Sequence, residues 1–80
     1  MTITVLLFAS YAEALRTHSL VIELDRGATV QDAVNHVRAI PGAEKIPGKP
    51  LVAVNERYAK QDRALVSGDT VAIIPPVAGG

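Results

Sequence analysis

Apolar residues on both faces of the first strand-like segment constrain this chain more than any other feature. From Ile3 to Ala9, Ile3, Val5 and Leu7 fall on one face and Leu6 and Phe8 on the other. Such a strand either lies inside a sheet covered on both sides or meets a partner on its outer face. With 80 residues, the chain makes one domain and has little surplus for a second covering layer. Leu20 to Asp25 reads as a second strand, with Leu20, Ile22 and Leu24 inward and Arg26-Gly27 breaking it. Leu51 to Val54 is a third, turned at Asn55 with a positive φ. A weak edge strand follows around Tyr58 to Lys60. Ser67-Gly68-Asp69 forms a turn in which Asp69 accepts local backbone hydrogen bonds. Val71 to Ile74 is the last strand, ended by Pro75-Pro76, neither of which can donate to a ladder.

Two helices fit between these strands. Ser10 and Glu13 have the spacing of a capping box, which predicts a short helix through about Arg16. Thr29 is the N-cap of the main helix, with Asp32 in the first turn where the helix dipole favours an acid. Val30, Ala33, Val34 and Val37 form its apolar stripe, and Pro41-Gly42 stops it. Residues 43–50 read as a loop. The order predicts an α+β domain: a mixed sheet with one main helix across one face and a short helix between the first two strands. If the first and last strands are neighbours, the long crossover makes them parallel. By analogy this resembles the β-grasp, or ubiquitin-like, arrangement, with a domain over 1–74 and an extended tail over 75–80.

Composition excludes several classes of function. Lys and Arg total 8 and Asp and Glu total 8, which argues against a nucleic-acid-binding stripe. The chain has no Cys, so it holds no disulfide scaffold, no thiolate metal site and no thiol nucleophile. Its first apolar run is far shorter than the ~20 residues that span a bilayer and lacks the basic flank of an export signal. No membrane association is expected, and a cytoplasmic location is. His18 and His36 match no metal-ligand spacing, so no metal is expected. Arg57, Lys60 and Arg63 form a loose basic group near Tyr58, readable as a solvated face or as a means of steering an acidic partner.

The carboxyl end carries the chemistry. In Pro75-Pro76-Val77-Ala78-Gly79-Gly80 the prolines hold an extended path, and nothing but the terminal carboxylate is charged. Six residues at about 3.3 Å each reach roughly 20 Å. Such a segment can enter a narrow, dry channel while desolvating one ion, and glycines permit close approach by a partner enzyme. A carboxylate resists nucleophiles until it is activated, for example as an acyl adenylate. A frayed, inert terminus is the competing reading.

Four stretches then carry a family resemblance across almost the whole chain: Val5 to Ala9, Val52 to Asn55, Ser67 to Ala72, and Pro75 to Gly80. The sequence resembles the small subunit of molybdopterin synthase, a ubiquitin-like sulfur carrier. Tyr11-Ala12-Glu13 and Ser67-Gly68-Asp69-Thr70 depart from that family's usual residues, outside the tail. The resemblance implies that Gly80 is adenylated by an E1-like enzyme at the expense of ATP, then thiocarboxylated from a sulfur donor. Pro75, Pro76, Val77, Ala78 and Gly79 would insert into the large subunit. Sulfur would pass to cyclic pyranopterin monophosphate in a heterotetramer of two small and two large subunits. No bound cofactor is implied. The chain would be no enzyme alone but the sulfur-donating part of one. A thiamin thiazole sulfur carrier, a ubiquitin-like modifier and a non-catalytic β-grasp interaction domain are alternatives.

Leu6 and Phe8 raise a separate expectation. If Ile3, Val5 and Leu7 face the main helix, Leu6 and Phe8 lie on the opposite sheet face. That face, with Ile73 or Ile74 beside it, is the expected docking patch for the activating enzyme and the large subunit, Ile73 being the residue chosen. Partial cover by loop 43–50 is the alternative.

Overall fold

The structure is a computed structural model that describes residues 1–76. Its elements are β1 (Thr2–Leu7), α1 (Ala9–Leu15), β2 (Ser19–Glu23), α2 (Val30–Arg38), β3 (Leu51–Val54), β4 (Arg57–Tyr58) and β5 (Thr70–Ile74). The five strands form one sheet in the order β2-β1-β5-β3-β4. The terminal strands β1 and β5 are parallel neighbours at its centre, and every other pairing is antiparallel. This is the mixed β-grasp sheet expected from the element order. Val77, Ala78, Gly79 and Gly80 lie outside the described residues.

Strand alternation sorts the side chains into two layers. Val5 pairs with Val71 and Leu7 with Ile73, while Val52 and Val54 on β3 pair with Ile73 and Val71. All six are buried and face the stripe of Val30, Ala33, Val34 and Val37 on α2. Leu20 and Leu24 are partly buried against this core beside the buried Ile22. Ile73 therefore does not belong to the exposed face assigned to it from sequence. Its parallel register with Leu7 turns it inward and leaves its neighbour Ile74 on the outside. Burial of both β1 and β5 on their helix side made the two isoleucines separable only by knowing that register.

The helix starts differ from expectation in an informative way. No Ser10–Glu13 capping box forms, because α1 begins directly after the strand with Phe8 as its N-cap. The Phe8 carbonyl accepts from the amides of Tyr11 and Ala12 at 3.0 and 3.3 Å. An immediate start is what brings Tyr11 and Ala12 into the core. The turn requires Ala9 to adopt φ 47°, a left-handed conformation unfavourable for a residue with a Cβ. The box occurs instead at α2. The Asp32 carboxylate accepts from the Thr29 amide at 2.8 Å, and the Thr29 hydroxyl accepts from the Asp32 amide at 3.4 Å.

Loop 43–50 does not cover Leu6 and Phe8. It carries a single 3₁₀ turn, Ala43–Lys45, that sinks Ala43 and Ile46 into the core on the helix side. Three side chains fasten this loop through its carbonyls: Arg38 Nε to Ile46 at 3.0 Å, Gln31 Nε2 to Gly48 at 2.8 Å, and Gln61 Nε2 to Pro50 at 2.8 Å. Gly42 enters it at φ 100°, where a Cβ would sit 3.1 Å from the Ala14 carbonyl of α1. The loop is thus part of the helical layer.

The face assignment of β5 gives a direct test. Ile73→Ala removes a fully buried side chain and should cost about 2–5 kcal/mol in urea unfolding. Ile74→Ala, on the open face, should cost about 1 kcal/mol or less.

Candidate functional site: the open face of the sheet

The face away from α2 is built from residues alternating with the core. Leu6 on β1, Ala72 on β5, Ala53 on β3 and Tyr58 on β4 are successive cross-strand partners and make one row. Beyond it, Ile74 pairs with Leu51 near Phe8, and on the other side Thr70 pairs with Thr4. Leu6, Phe8, Ala53, Tyr58, Ala72 and Ile74, together with Asn55, Glu56 and Thr70, line a groove of ≈ 690 Å³. Its floor is low because Ala53 and Ala72 sit at the centre, and Tyr58 and Phe8 stand up around it, 75% and 44% exposed. An apolar depression rimmed by polar groups is the usual signature of a binding surface.

A polar lock fixes one rim of the groove. Asn55 and Glu56 make the two-residue turn between β3 and β4, both with positive φ, 50° and 71°. Right-handed strand twist favours such a turn, and Asn is well suited to its first position. The Asn55 side chain then bonds across to the start of β5. Its Nδ2 donates to Asp69 Oδ1 at 2.9 Å, and its Oδ1 accepts from the Thr70 amide at 2.9 Å. The other Asp69 oxygen accepts from the Val66 amide at 2.9 Å, closing the turn that the sequence placed at Ser67-Gly68-Asp69. These bonds hold the carboxyl of Asp69 below its ordinary pKa, the Val66 amide first and the Asn55 amide next. Burial opposes the shift, and the charge of Arg63 adds to it. The hairpin bearing Tyr58 is thereby tied to the strand that leads into Pro75.

The structure brings the sequence-derived site residues together only in part. Leu6 and Phe8 share the groove as expected, whereas Ile73 is absent from it and Ile74 occupies that place. Pro75 is half-buried and Pro76 exposed at the end of β5. Arg57, Lys60 and Arg63 are exposed and none lines the groove. His18 and His36 are exposed, and no cluster of three potential metal ligands occurs among the described residues. No described helix is long and apolar enough to cross a membrane. Sequence reasoning missed Ala53, Glu56, Tyr58, Thr70 and Ala72 as site residues and read Asn55 as a turn residue alone. The period-2 pattern of β3 and β5 held the signal for the alanines: where Val52, Val54, Val71 and Ile73 face in, Ala53 and Ala72 face out.

The family model described as ThiS family matches residues 5–80. The chain belongs to the ThiS family. The molybdopterin synthase sulfur carrier subunit of Chlamydomonas reinhardtii is 37% identical over 83 residues, covering 100% of both chains. That of Escherichia coli (strain K12) is 36% identical over 81 residues, covering 98% of this chain and 99% of its own. Among solved structures, SAMP1 from Haloferax volcanii is similar with a TM-score of 0.88 and 30% identity over 100% of both chains. One chain in a complex of subunits 1 and 2 of the molybdopterin-converting factor from Helicobacter pylori has a TM-score of 0.74 and 20% identity over 100% of both chains. At that identity the likeness concerns the fold. This ThiS-family chain is thus a ubiquitin-like β-grasp domain, similar over its full length to molybdopterin synthase sulfur carrier subunits.

The lock at Asp69 makes stability pH-dependent in a defined direction. Its folded pKa lies below the unfolded value, so its contribution is full above the unfolded pKa and is lost as pH falls through the folded one. Asp69→Asn should therefore lower stability by about 1–3 kcal/mol at pH 7. The gap to the parent protein should close as the pH drops below about 4. Urea titrations of both proteins from pH 7 to pH 2.5 check this; a gap independent of pH contradicts it.

Proposed function

We propose that this protein is the sulfur carrier subunit of molybdopterin synthase and that the carboxyl group of Gly80 is its working group. Full-length similarity to sulfur carrier subunits, 36% and 37% identical with all but a few residues covered, carries the reading. The chemistry follows from the inertness of a carboxylate. An E1-like enzyme joins the Gly80 carboxylate to the α-phosphate of ATP and releases pyrophosphate. Sulfide-level sulfur from a donor then displaces AMP from the acyl carbon, leaving a thiocarboxylate. In the large subunit the terminal sulfur forms a C–S bond to a carbon of cyclic pyranopterin monophosphate as a C–O bond at that carbon breaks. Water then cleaves the resulting thioester, leaving sulfur on the pterin and returning the acyl group to a carboxylate. A dithiolene holds two sulfur atoms, so two charged carriers are consumed per product, in keeping with a heterotetramer of two small and two large subunits. The synthase activity resides in that complex, which we place in the cytoplasm.

The fold supplies the handle. β5 is a central strand, bonded to β1 on one side and β3 on the other, so residues beyond Ile74 start from a fixed point. Pro75 and Pro76 limit how the chain can turn back from there. In this reading Val77, Ala78 and Gly79 enter the partner's channel behind Gly80. The groove of Leu6, Phe8, Ala72, Ile74 and Tyr58 docks both the large subunit and the activating enzyme. Using one face for both makes the two encounters mutually exclusive, so a carrier is released before it delivers.

A second reading is favoured by the likeness to SAMP1 at 30% identity: the activated terminus is passed to an amine, as by a ubiquitin-like modifier. Transfer to the thiamin thiazole pathway is the corresponding alternative within sulfur chemistry. Deleting the gene separates them by which of molybdoenzyme activity, thiamin synthesis or high-mass conjugates is lost.

Incubation with ATP, the activating enzyme and a sulfur donor should raise the intact mass by about 16 Da, sulfur replacing oxygen at Gly80. Adding one alanine after Gly80 should abolish both the mass gain and sulfur delivery; retention of either contradicts the terminal carboxyl as the reagent. Phe8→Asp should weaken co-purification with the large subunit by tenfold or more, on the order of a lost interface anchor. Unchanged binding removes the groove from the docking account.

A further inference from the structure

Glu56 combines two properties that conflict unless its carboxylate is used. It sits at φ 71° as the second residue of the turn between β3 and β4, a position where glycine is favoured and a side chain is strained. Among the described residues it is also the one charged side chain lining the apolar groove. Nothing local rewards the charge: the ion pair formed within the described residues joins the Met1 amine to Glu23, and Glu56 takes part in no side-chain hydrogen bond there. The turn itself is specified without Glu56, because Asn55 makes the bonds that tie it to Asp69 and Thr70. A strained residue kept at a binding surface points to a role outside the fold.

We propose that Glu56 is a specificity-determining residue of the docking face and that it engages a cationic side chain, an arginine or lysine, on the large subunit of the synthase when that subunit occupies the groove. This deepens the proposed function and rests on the groove being the docking face. The complement is a partner surface that offers an apolar side chain for the depression over Ala53 and Ala72, with a basic group beside it. Placed on the rim next to Tyr58, the carboxylate stays hydrated in the free carrier. It contributes through long-range attraction and orientation rather than through a buried pair. In a chain with equal numbers of acidic and basic residues, such steering depends on where a charge sits, not on net charge. The exposed Arg57, opposite Val54 in the ladder, lies on the other side of β4 from Tyr58. The hairpin thus presents a negative charge to the groove and a positive one away from it.

The test uses the full chain and the purified large subunit of the same synthase, with binding measured by titration between about 20 and 500 mM salt. Glu56→Gln should weaken binding about three- to tenfold at low salt and match the parent protein at high salt. Glu56→Lys should weaken it further at low salt. Glu56→Gly should lose affinity in the same way while its Tm rises by roughly 4 °C, since relieving the turn stabilises the free carrier. Loss of affinity in a more stable protein is a result that a merely structural role cannot give. If Glu56→Gln binds like the parent at every salt concentration while Leu6→Asp abolishes binding, the proposal is overturned and the docking face stands. If Leu6→Asp also binds normally, the groove is not the docking face and both readings fall. A Tm unchanged or lowered in Glu56→Gly removes the argument that the side chain is retained at a cost.

Discussion

The parallel pairing of β1 with β5 is the constraint on which the rest of this structure depends. It joins the two ends of the chain at the centre of the sheet, and its register decides which side chains meet α2 and which do not. Val5 with Val71 and Leu7 with Ile73 build the core; Leu6 with Ala72 builds the groove floor on the opposite side. One set of backbone bonds therefore creates both the buried and the open apolar surfaces. A slip by one residue would exchange them. The same pairing holds the strand from which Pro75 departs, so that strand's exit and the open face are parts of one rigid unit.

Much of this was legible in the residues. The stripe Val30, Ala33, Val34, Val37 and its Thr29 cap could be read because a helix and its cap are local in sequence. The turn at Asn55 and the role of Asp69 were likewise local. What could not be read depended on contacts between distant segments. Ile73 and Ile74 are chemically alike and adjacent, and only the register against Leu7 separates core from surface. Loop 43–50 gave no periodic signal, yet Ala43 and Ile46 fill the helical layer because α1, α2 and the sheet leave room for them there. The Ser10–Glu13 spacing matched a capping box and failed because burying Tyr11 and Ala12 requires the helix to begin before Ser10. The carboxyl-terminal chemistry came from residue type and family resemblance, not from any contact.

Asn55 and Asp69 show how a polar pair is used where the core cannot reach. The β3–β4 hairpin is short, with β4 only Arg57–Tyr58, and two paired residues give little cohesion of their own. The bonds from Asn55 to Asp69 and Thr70 graft this hairpin onto the sheet's central strand. Tyr58 can then stand largely exposed at the groove edge in a fixed place. A nearly buried carboxylate is retained because each of its oxygens has a donor, which offsets its desolvation.

Local rules are broken on both sides of the sheet, and on the open side the departures gather around one groove. Around α2 the stripe, the cap and the packing agree with one another, while Arg16 closes α1 at φ 56° and the Oε1 atoms of Gln31 and Gln61 are buried without a hydrogen-bond partner among the described residues. Along the open side stand an alanine at φ 47° beside Phe8, a glutamate at φ 71° beside Tyr58, and aromatic rings left in water. The strain at Ala9 is offset by the burial of Tyr11 and Ala12, whereas the strain at Glu56 and the exposure of Phe8 and Tyr58 lower stability without gain for the isolated domain, and they lie at the rims of one groove. A fold selected for its own stability alone would shed them: glycine would relieve both turns, and polar side chains would replace Phe8 and Tyr58. Their coincidence on one face is the pattern expected of a surface that a partner covers. The helical layer supplies the stability against which those departures are set.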